Sequence, residues 1–387
     1  MEICAIICEF NPFHNGHAYL LRRARELSGC DAVLCVMSGQ FTQRGEICRT
    51  DKFLRAKHAI LCGADAVVEL PVPFAVAPAE IFAKGAVNII SSIPQVKCVA
   101  FGCESSCGDG ESCEDGGIFE SAAKILSDES ALFKATLEKH LDWGESYIKS
   151  YGAAFEACGG NGGLLSSPNN VLGVEYAKAV LNSGADIRLL PVKRVGADYN
   201  DERLADGYSS ASGIRANADN PRIKNEMPEC SYDDFIKSTD NGKRFRRLAA
   251  DWLYLCDKEN LKRVYGCTEG LENRLKNLAF GHGFEEIVEL ACSKRYSKAR
   301  VRRILTANLL GLYADQTQEF LQGGLPVKVL AVKKERADGL LPLLTVTPEN
   351  AVSAQACAEL SSKAYGLWRY LSTPLLLDNP NEKMILA

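Results

Sequence analysis

The sequence predicts an α/β protein, with a Rossmann-like parallel sheet over residues 1–220 and a mostly helical region over 221–387. Two observations carry this. Short, near-continuous apolar runs recur up to residue 192, each separated from the next by a helix-like stretch, as expected of parallel strands buried on both faces. After Pro221 the pattern is almost wholly helical. A length of 387 residues exceeds one ordinary core, and 47% hydrophobic with 24% charged residues is a globular composition.

Taken in order, Glu2–Cys8 is the first strand, and a loop through Asn11, Pro12 and Phe13 leads to a helix over Gly16–Leu27. Asp31–Met37 is a second strand. Lys52–Cys62 is a helix closed by Gly63, with Lys52, Arg55 and Lys57 on what reads as its solvated face. Ala66–Leu70 is a third strand stopped by Pro71, Glu80–Ile90 a helix, and Val96–Phe101 a fourth strand closed by Gly102. Residues 103–167 form a helical insert, with a polar loop first and two or three helices over 118–157. A helix over Asn169–Leu181 and a strand over Ile187–Val192 complete the unit. Four helices follow: Phe245–Leu255, Thr268–Leu278, Phe284–Ala291 and Ser297–Leu312. Val327–Val332 and Leu343–Val346 are candidate late strands.

Several classes are excluded. No apolar run reaches the roughly 20 residues of a membrane span, and the start lacks a basic, cleavable leader, which predicts a cytoplasmic protein. Of sixteen cysteines, Cys4, Cys8, Cys35, Cys62, Cys98 and Cys292 sit in apolar runs as reduced core thiols. Cys103, Cys107 and Cys113 lack metal-site spacing, so no metal site is expected there. A net charge of −4 does not mark the whole chain as a nucleic-acid binder.

The chemistry concentrates after the first strand, in Glu9-Phe10-Asn11-Pro12-Phe13-His14-Asn15-Gly16-His17. Gly16 lets a nucleotide approach the backbone, and the helix start offers unpaired N–H groups and a partial positive charge to phosphate. His14 and His17 add two donors that can stabilise charge developing on phosphate oxygens. A second helix start, Ser209-Ser210-Ala211-Ser212-Gly213-Ile214-Arg215, offers hydroxyls, N–H groups and an arginine. Either motif alone reads equally as an ordinary cap. Both in one α/β unit point to a shared phosphate cradle.

His14-Asn15-Gly16-His17 resembles the HxGH signature of the nucleotidyltransferase superfamily, and Ser210–Arg215 resembles its Ser-Ser-Thr-x-x-Arg partner, with Ala211 and Ser212 as departures. Together with Met37–Glu46, Gly63–Pro71, Ser167-Pro168-Asn169-Asn170 and Lys193–Tyr199, these runs resemble the bacterial tRNA(Met) cytidine acetate ligase family. The resemblance implies a two-step reaction. ATP and acetate give acetyl-adenylate and pyrophosphate; the N4 amine of the wobble cytidine (C34) of elongator tRNA(Met) then takes the acetyl group and AMP leaves. It implies catalytic His14 and His17, and an ATP site over Ile7, Cys8, Glu9, Phe10, Asn11, Pro12, Phe13, His14, Asn15, Gly16, His17, Ala18, Tyr19 and Leu20, with Gly102, Asn169 and Arg194. Ser212 and Arg215 join the site as the second cradle. The residues suit these roles: Gly102 at a strand end admits the nucleotide, Asn169 offers donor and acceptor, and Arg194 carries a permanent fork-shaped charge. Cys103, where a small serine is expected, is one departure. Magnesium is expected to accompany ATP, without a dedicated metal cage.

Gln40–Glu46 reads either as a substrate loop, with Gln43 and Arg44 on the acetyl or RNA side, or as a plain connection. Two basic runs, Lys243, Arg244, Arg246, Arg247 and Lys294, Arg295, Lys298, Arg300, Arg302, Arg303, are the candidate tRNA surface, with Tyr296 available to stack on an unpaired base. Two rival functions remain open on the motifs alone: a small-molecule adenylyltransferase of the HxGH superfamily, and an RNA-binding protein with an inactive nucleotide fold.

Overall fold

A computed structural model describes residues 1–104, 116–196, 203–205, 207–293, 295–372 and 384–387. In the first part β1 (Ile3–Cys8), α1 (Asn15–Ser28), β2 (Ala32–Ser38), α2 (Lys52–Leu61), β3 (Ala66–Leu70), the single turn α3 (Val72–Ala75), α4 (Ala79–Ser91) and β4 (Val96–Cys103) alternate as expected. The insert contributes α5 (Gly116–Asp128), α6 (Ala131–Asp142) and α7 (Tyr147–Ala157), and α8 (Pro168–Ser183) leads to β5 (Arg188–Lys193). Then come α9 (Ala211–Ala216), α10 (Glu229–Lys237), α11 (Gly242–Leu255), α12 (Lys258–Arg263), α13 (Leu271–Leu278), α14 (Phe284–Ala291), α15 (Lys298–Leu310) and α16 (Ala314–Gly323). The chain ends with β6 (Lys328–Val332), α17 (Ala337–Leu344), α18 (Ala351–Ser372) and β7 (Ile385–Leu386).

The strands form one sheet in the order β5-β4-β1-β2-β3-β6-β7. β1 to β5 pair in parallel, and β6 adds antiparallel to β3. Strands buried on both faces need apolar residues at every position. Thus Ile3, Ala5 and Ile7 join a core with Phe82, Ile89 and Val174, while Cys4, Ile6 and Cys8 join another with Leu21 and Phe53. The chain runs from β1 outward to β3, then returns with β4 to the other side of β1. That reversal opens a crevice beyond the carboxyl ends of β1 and β4. Helices α11 to α15, with the later part of α18, build a separate core around Phe245, Leu253, Ile287 and Ile304, which also takes in Phe41 and Ile47 from the loop after β2. No described helix is long and apolar enough to cross a membrane.

Three expectations are corrected. Leu343–Val346 is not a strand: Leu340 and Leu344 are buried on α17, and a four-residue apolar run carries no period that separates strand from helix. The strand at Lys328–Val332 exists, but it joins the first sheet, so residues 221–387 supply two strands as well as helices. Lys52 and Arg55 are not solvated; both are fully buried, while Lys57 is exposed. Lys52 Nζ reaches both Glu69 carboxylate oxygens at 2.9 Å. The Arg55 guanidinium donates to the carbonyls of Glu9, Ser38, Gly39 and Thr50, and so ties together the chain segments leaving β1 and β2. Cys4, Cys8, Cys35 and Cys98 are buried free thiols, and Cys62 and Cys292 are partly buried ones. Cys103 is buried, and Cys107 and Cys113 lie outside the described residues.

Candidate active site

A cavity of about 170 Å³ fills the crevice. It brings together the end of β1, the start of α1, Gly102 on β4, Asn169 on α8, Arg194 after β5, and Ser212 and Arg215 on α9. Of the motif residues, Ile7, Cys8, Glu9, Phe10, Asn11, His14, Gly16, His17, Tyr19 and Leu20 line it; Pro12, Phe13, Asn15 and Ala18 do not. The reason is local. Phe13 is buried behind the wall, with its carbonyl accepting from Ser231 Oγ at 2.8 Å. Asn15 turns outward, and its Nδ2 donates to the carbonyls of Gly207 and Asn225 at 2.9 and 2.8 Å.

The two histidines form one unit. His14 caps α1, and its Nδ1 accepts from the Gly16 N–H at 3.1 Å. His17 Nδ1 accepts from the His14 N–H at 3.2 Å, a reciprocal cap built from imidazoles. The rings lie 3.7 Å apart, and His17 packs edge-on against Phe10 at 4.8 Å. Phe10 itself has φ +52°, a left-handed backbone that costs about 1–3 kcal/mol for a bulky residue and is held here by burial. An Nδ1 that accepts carries no hydrogen, so each neutral ring is an Nε2–H donor. Burial keeps them neutral. It pushes His14 down to about 3, helped by the Arg194 and Arg215 charges, and lowers His17 well below the usual range, helped by His14 and Arg194.

This has a stability consequence. Unfolded imidazoles titrate near 6.5, so the depressed His14 contributes stability that is fully present above that pH and lost as pH falls toward 3. By pH 5 the loss is about 2 kcal/mol for one such group. His14→Asn keeps a capping oxygen but removes the ring. Its unfolding free energy, measured by urea titration, is expected to fall less than the parent's between pH 7 and pH 5, by about 2 kcal/mol. Equal losses in both chains would refute the assignment.

Across the cavity Arg215 donates to the Asn11 carbonyl at 2.6 Å, to Ser212 Oγ at 3.3 Å and to Glu46 at 2.9 Å. The cap of α9 is Ser210 rather than Ser212, its Oγ accepting from the Gly213 N–H at 2.9 Å. Asn169 Nδ2 donates to Glu104 at 2.6 Å. A Cβ on Gly102 would lie 3.3 Å from Arg194 Cγ, so the missing side chain makes room for the Arg194 stem. Phe82, Phe101 and Tyr176 form an apolar wall. Two acidic residues have partners that no local sequence signal announces. Glu46 pairs with Arg215, and buried Glu226 accepts from the Gly207 and Ser209 N–H groups at 3.0 and 2.8 Å, setting the loop into α9.

Gln43 and Arg44 do line the cavity. Their loop is pinned to α15: Thr306 Oγ1 donates to the Gly45 carbonyl at 2.7 Å, and a Cβ on Gly45 would lie 2.8 Å from the Arg302 backbone. The two basic runs lie on α11 and around the start of α15, where Arg246 and Arg302 both reach Glu285 at 3.8 and 2.8 Å. Most of these cations have internal partners. Arg300 donates to the Gly266 carbonyl, Arg244 to the Leu371 carbonyl, and Arg303 to the Gln43 carbonyl. Lys298 pairs with Glu289, Arg295 with Glu269, and Arg247, 87% exposed, with Asp251. Lys243 is exposed, and Lys294 lies outside the described residues. Tyr296 is not available for stacking: only 7% exposed, it packs beneath Arg300 with its hydroxyl at Thr268 and Glu269. Among the described residues no group of histidine, cysteine, aspartate and glutamate is arranged to hold a metal ion.

The family model described as HIGH Nucleotidyl Transferase matches residues 1–349. A tRNA(Met) cytidine acetate ligase of Acetivibrio thermocellus is 37% identical over 330 residues, 81% of this chain and 78% of the relative. Another, of Clostridium acetobutylicum, is 32% identical over 414 residues and the match covers 100% of both chains. Crystal structures of Thermotoga maritima TmcAL superpose with TM-scores of 0.85 for the apo form, at 27% identity, and 0.83 for the form bound with alpha-thio ATP, at 26%. Each match covers 96% of this chain and 95% of the other. The chain belongs to the HIGH nucleotidyl transferases and, within them, to the tRNA(Met) cytidine acetate ligase family.

Proposed function

We propose that this chain activates acetate with ATP and transfers the acetyl group to N4 of the wobble cytidine of elongator tRNA(Met). The observation that carries the reading is the cavity itself. Two neutral imidazole Nε2–H donors, the start of α1, Ser212, Arg194 and Arg215 converge on one crevice at the switch point of the sheet. Relatives named for this reaction match the chain along its whole length. ATP enters as the magnesium chelate, the ion arriving with its substrate.

In the first step an acetate oxygen attacks the α-phosphorus, and the bond from that phosphorus to the bridging oxygen breaks, releasing pyrophosphate. Negative charge grows on the phosphoryl oxygens, and donors fixed beforehand lower the barrier without reorganising. His14 and His17 supply such donors without adding charge. Arg194 and Arg215 supply the charge, with the Arg215 fork already set by the Asn11 carbonyl and Glu46. In the second step N4 attacks the carbonyl carbon of the acetyl-adenylate and AMP leaves. The Gln43–Glu46 loop, which lines the cavity and rests on α15, is the side from which RNA approaches, because α11 and α15 carry the basic residues. Arg247 and Lys243 are exposed members of that surface, whereas Arg300 serves the fold.

The test incubates the protein with ATP, magnesium, radiolabelled acetate and unmodified elongator tRNA(Met), and counts label in the RNA. ATP-dependent label in the RNA is the expected result. No label, with pyrophosphate released when a phosphorylated metabolite replaces the tRNA, would overturn this reading in favour of a small-molecule adenylyltransferase.

A further inference from the structure

The acyl-transfer step leaves a proton without an acceptor. When the exocyclic amine of a cytidine bonds to the acyl carbon, its nitrogen becomes strongly acidic and must lose one hydrogen. The cavity wall has few groups able to take it. His14 and His17 are committed as donors, because both Nδ1 atoms accept backbone N–H groups and both Nε2 atoms carry hydrogen. Glu46 is held in its ion pair with Arg215 at 2.9 Å. The Cys8 thiol is kept protonated, its pKa raised well above the ordinary value by burial. Glu9 differs from all of these. It stands at the end of β1 in the cavity wall. Its Oε1 accepts from the Gln43 N–H at 2.6 Å, and its Oε2 has no hydrogen bond among the described residues.

We propose that Glu9 is a catalytic residue of the second step, taking the proton from the cytidine amine as that nitrogen closes on the acyl carbon. The inference rests on the function proposed above. The nitrogen–carbon bond forms, the anhydride carbon–oxygen bond breaks, AMP leaves with the electron pair, and one N4 hydrogen passes to Glu9 Oε2. The product complex then returns that proton to solvent.

The position suits the role. Arg55 donates to the Glu9 backbone carbonyl and fixes the residue from behind. Gln43, which holds Oε1, belongs to the loop through which RNA is placed, so substrate seating and base orientation are mechanically joined. A carboxylate is basic enough, because the nitrogen it deprotonates is already bonded to an electron-poor carbon. Burial pushes the Glu9 pKa up from its ordinary 4.5, with Glu46 adding to the rise, while the Gln43 N–H, Arg215 and Arg44 oppose it. The Cys8 and Cys48 thiols, the other titratable neighbours, are themselves raised and neutral. Transfer therefore needs Glu9 ionised, and its rate should fall as pH drops through a value above 4.5.

The experiment separates the two steps on the full chain. Acetate-dependent ATP–pyrophosphate exchange reads activation. Single-turnover transfer from preformed acetyl-adenylate to the tRNA(Met) transcript, from pH 5 to pH 8, reads the second step. Glu9→Gln keeps the oxygen that Gln43 binds; it should slow transfer roughly a hundredfold, slow exchange by a much smaller factor, and flatten the acid limb. Glu9→Asp should recover part of the rate and restore the limb. Transfer by Glu9→Gln at the parent rate, or equal losses in both steps with no change in the pH profile, would overturn the base assignment. A parent chain that exchanges no pyrophosphate and labels no RNA would overturn the proposed function and this inference together.

Discussion

His17→Ala is expected to lower the rate of adenylate formation by about 10²–10³, the effect of deleting one fixed donor from a site of developing negative charge. The Nε2–H is lost, whose direction is set by the Nδ1 contact and by packing against Phe10 and Phe13. The cap goes with it, at about 1 kcal/mol of stability. His17→Gln separates rate from stability. Glutamine at the third position of a helix can still accept from the His14 N–H, and its amide keeps an N–H donor. It should melt with the parent and recover part of the rate. Initial rates of acetate-dependent pyrophosphate exchange, with melting temperatures for both variants, check this. An alanine variant that exchanges at the parent rate would remove His17 from the mechanism.

Lys52→Met should destabilise the protein by about 3–5 kcal/mol, because it leaves the Glu69 carboxylate buried beside the sheet without its main counterion. Lys328 approaches the same carboxylate at 3.9 Å and softens the loss without replacing it. The double replacement Lys52→Met with Glu69→Leu removes both charges and should recover most of the stability. Urea denaturation of the parent, single and double variants checks the cycle. A single variant within 1 kcal/mol of the parent, on the scale expected of an exposed pair, would contradict the burial argument. The pair also bears on function. It sits on α2 and β3, and a Cβ on Gly39 would collide with Glu69, so the backbone leaving β2 passes hard against the ion pair on its way to the Gln43–Glu46 loop.

The strands around the site were legible because parallel strands buried on both faces must be apolar throughout, and β1 to β5 fall within two residues of where the runs predict them. The His14–His17 motif was legible for a similar reason: a phosphate-facing helix start needs a glycine and donors at set spacings, and those are contiguous in the chain. The partners of Glu46 and Glu226 were not legible. Each acts on a backbone or side chain distant in sequence, and nothing adjacent to either announces the partner. The basic run at 294–303 shows the opposite error. Its density suggests one exposed RNA face, but Lys298, Arg300, Arg302 and Arg303 alternate around a helix, and several point into neighbouring elements.

Composition, periodicity and the contiguous motifs thus determined the fold class, the strand positions and the place of the phosphate-facing loop, since each depends on residues close together in the chain. Only the tertiary structure decided which cations are buried, which carboxylates face the cavity, that the late strand at Lys328–Val332 extends the first sheet, and that Tyr296 is hidden. Those properties belong to pairs of surfaces brought together by folding, and a lysine on a helix carries the same local signal whether its neighbour in space is water or Glu69.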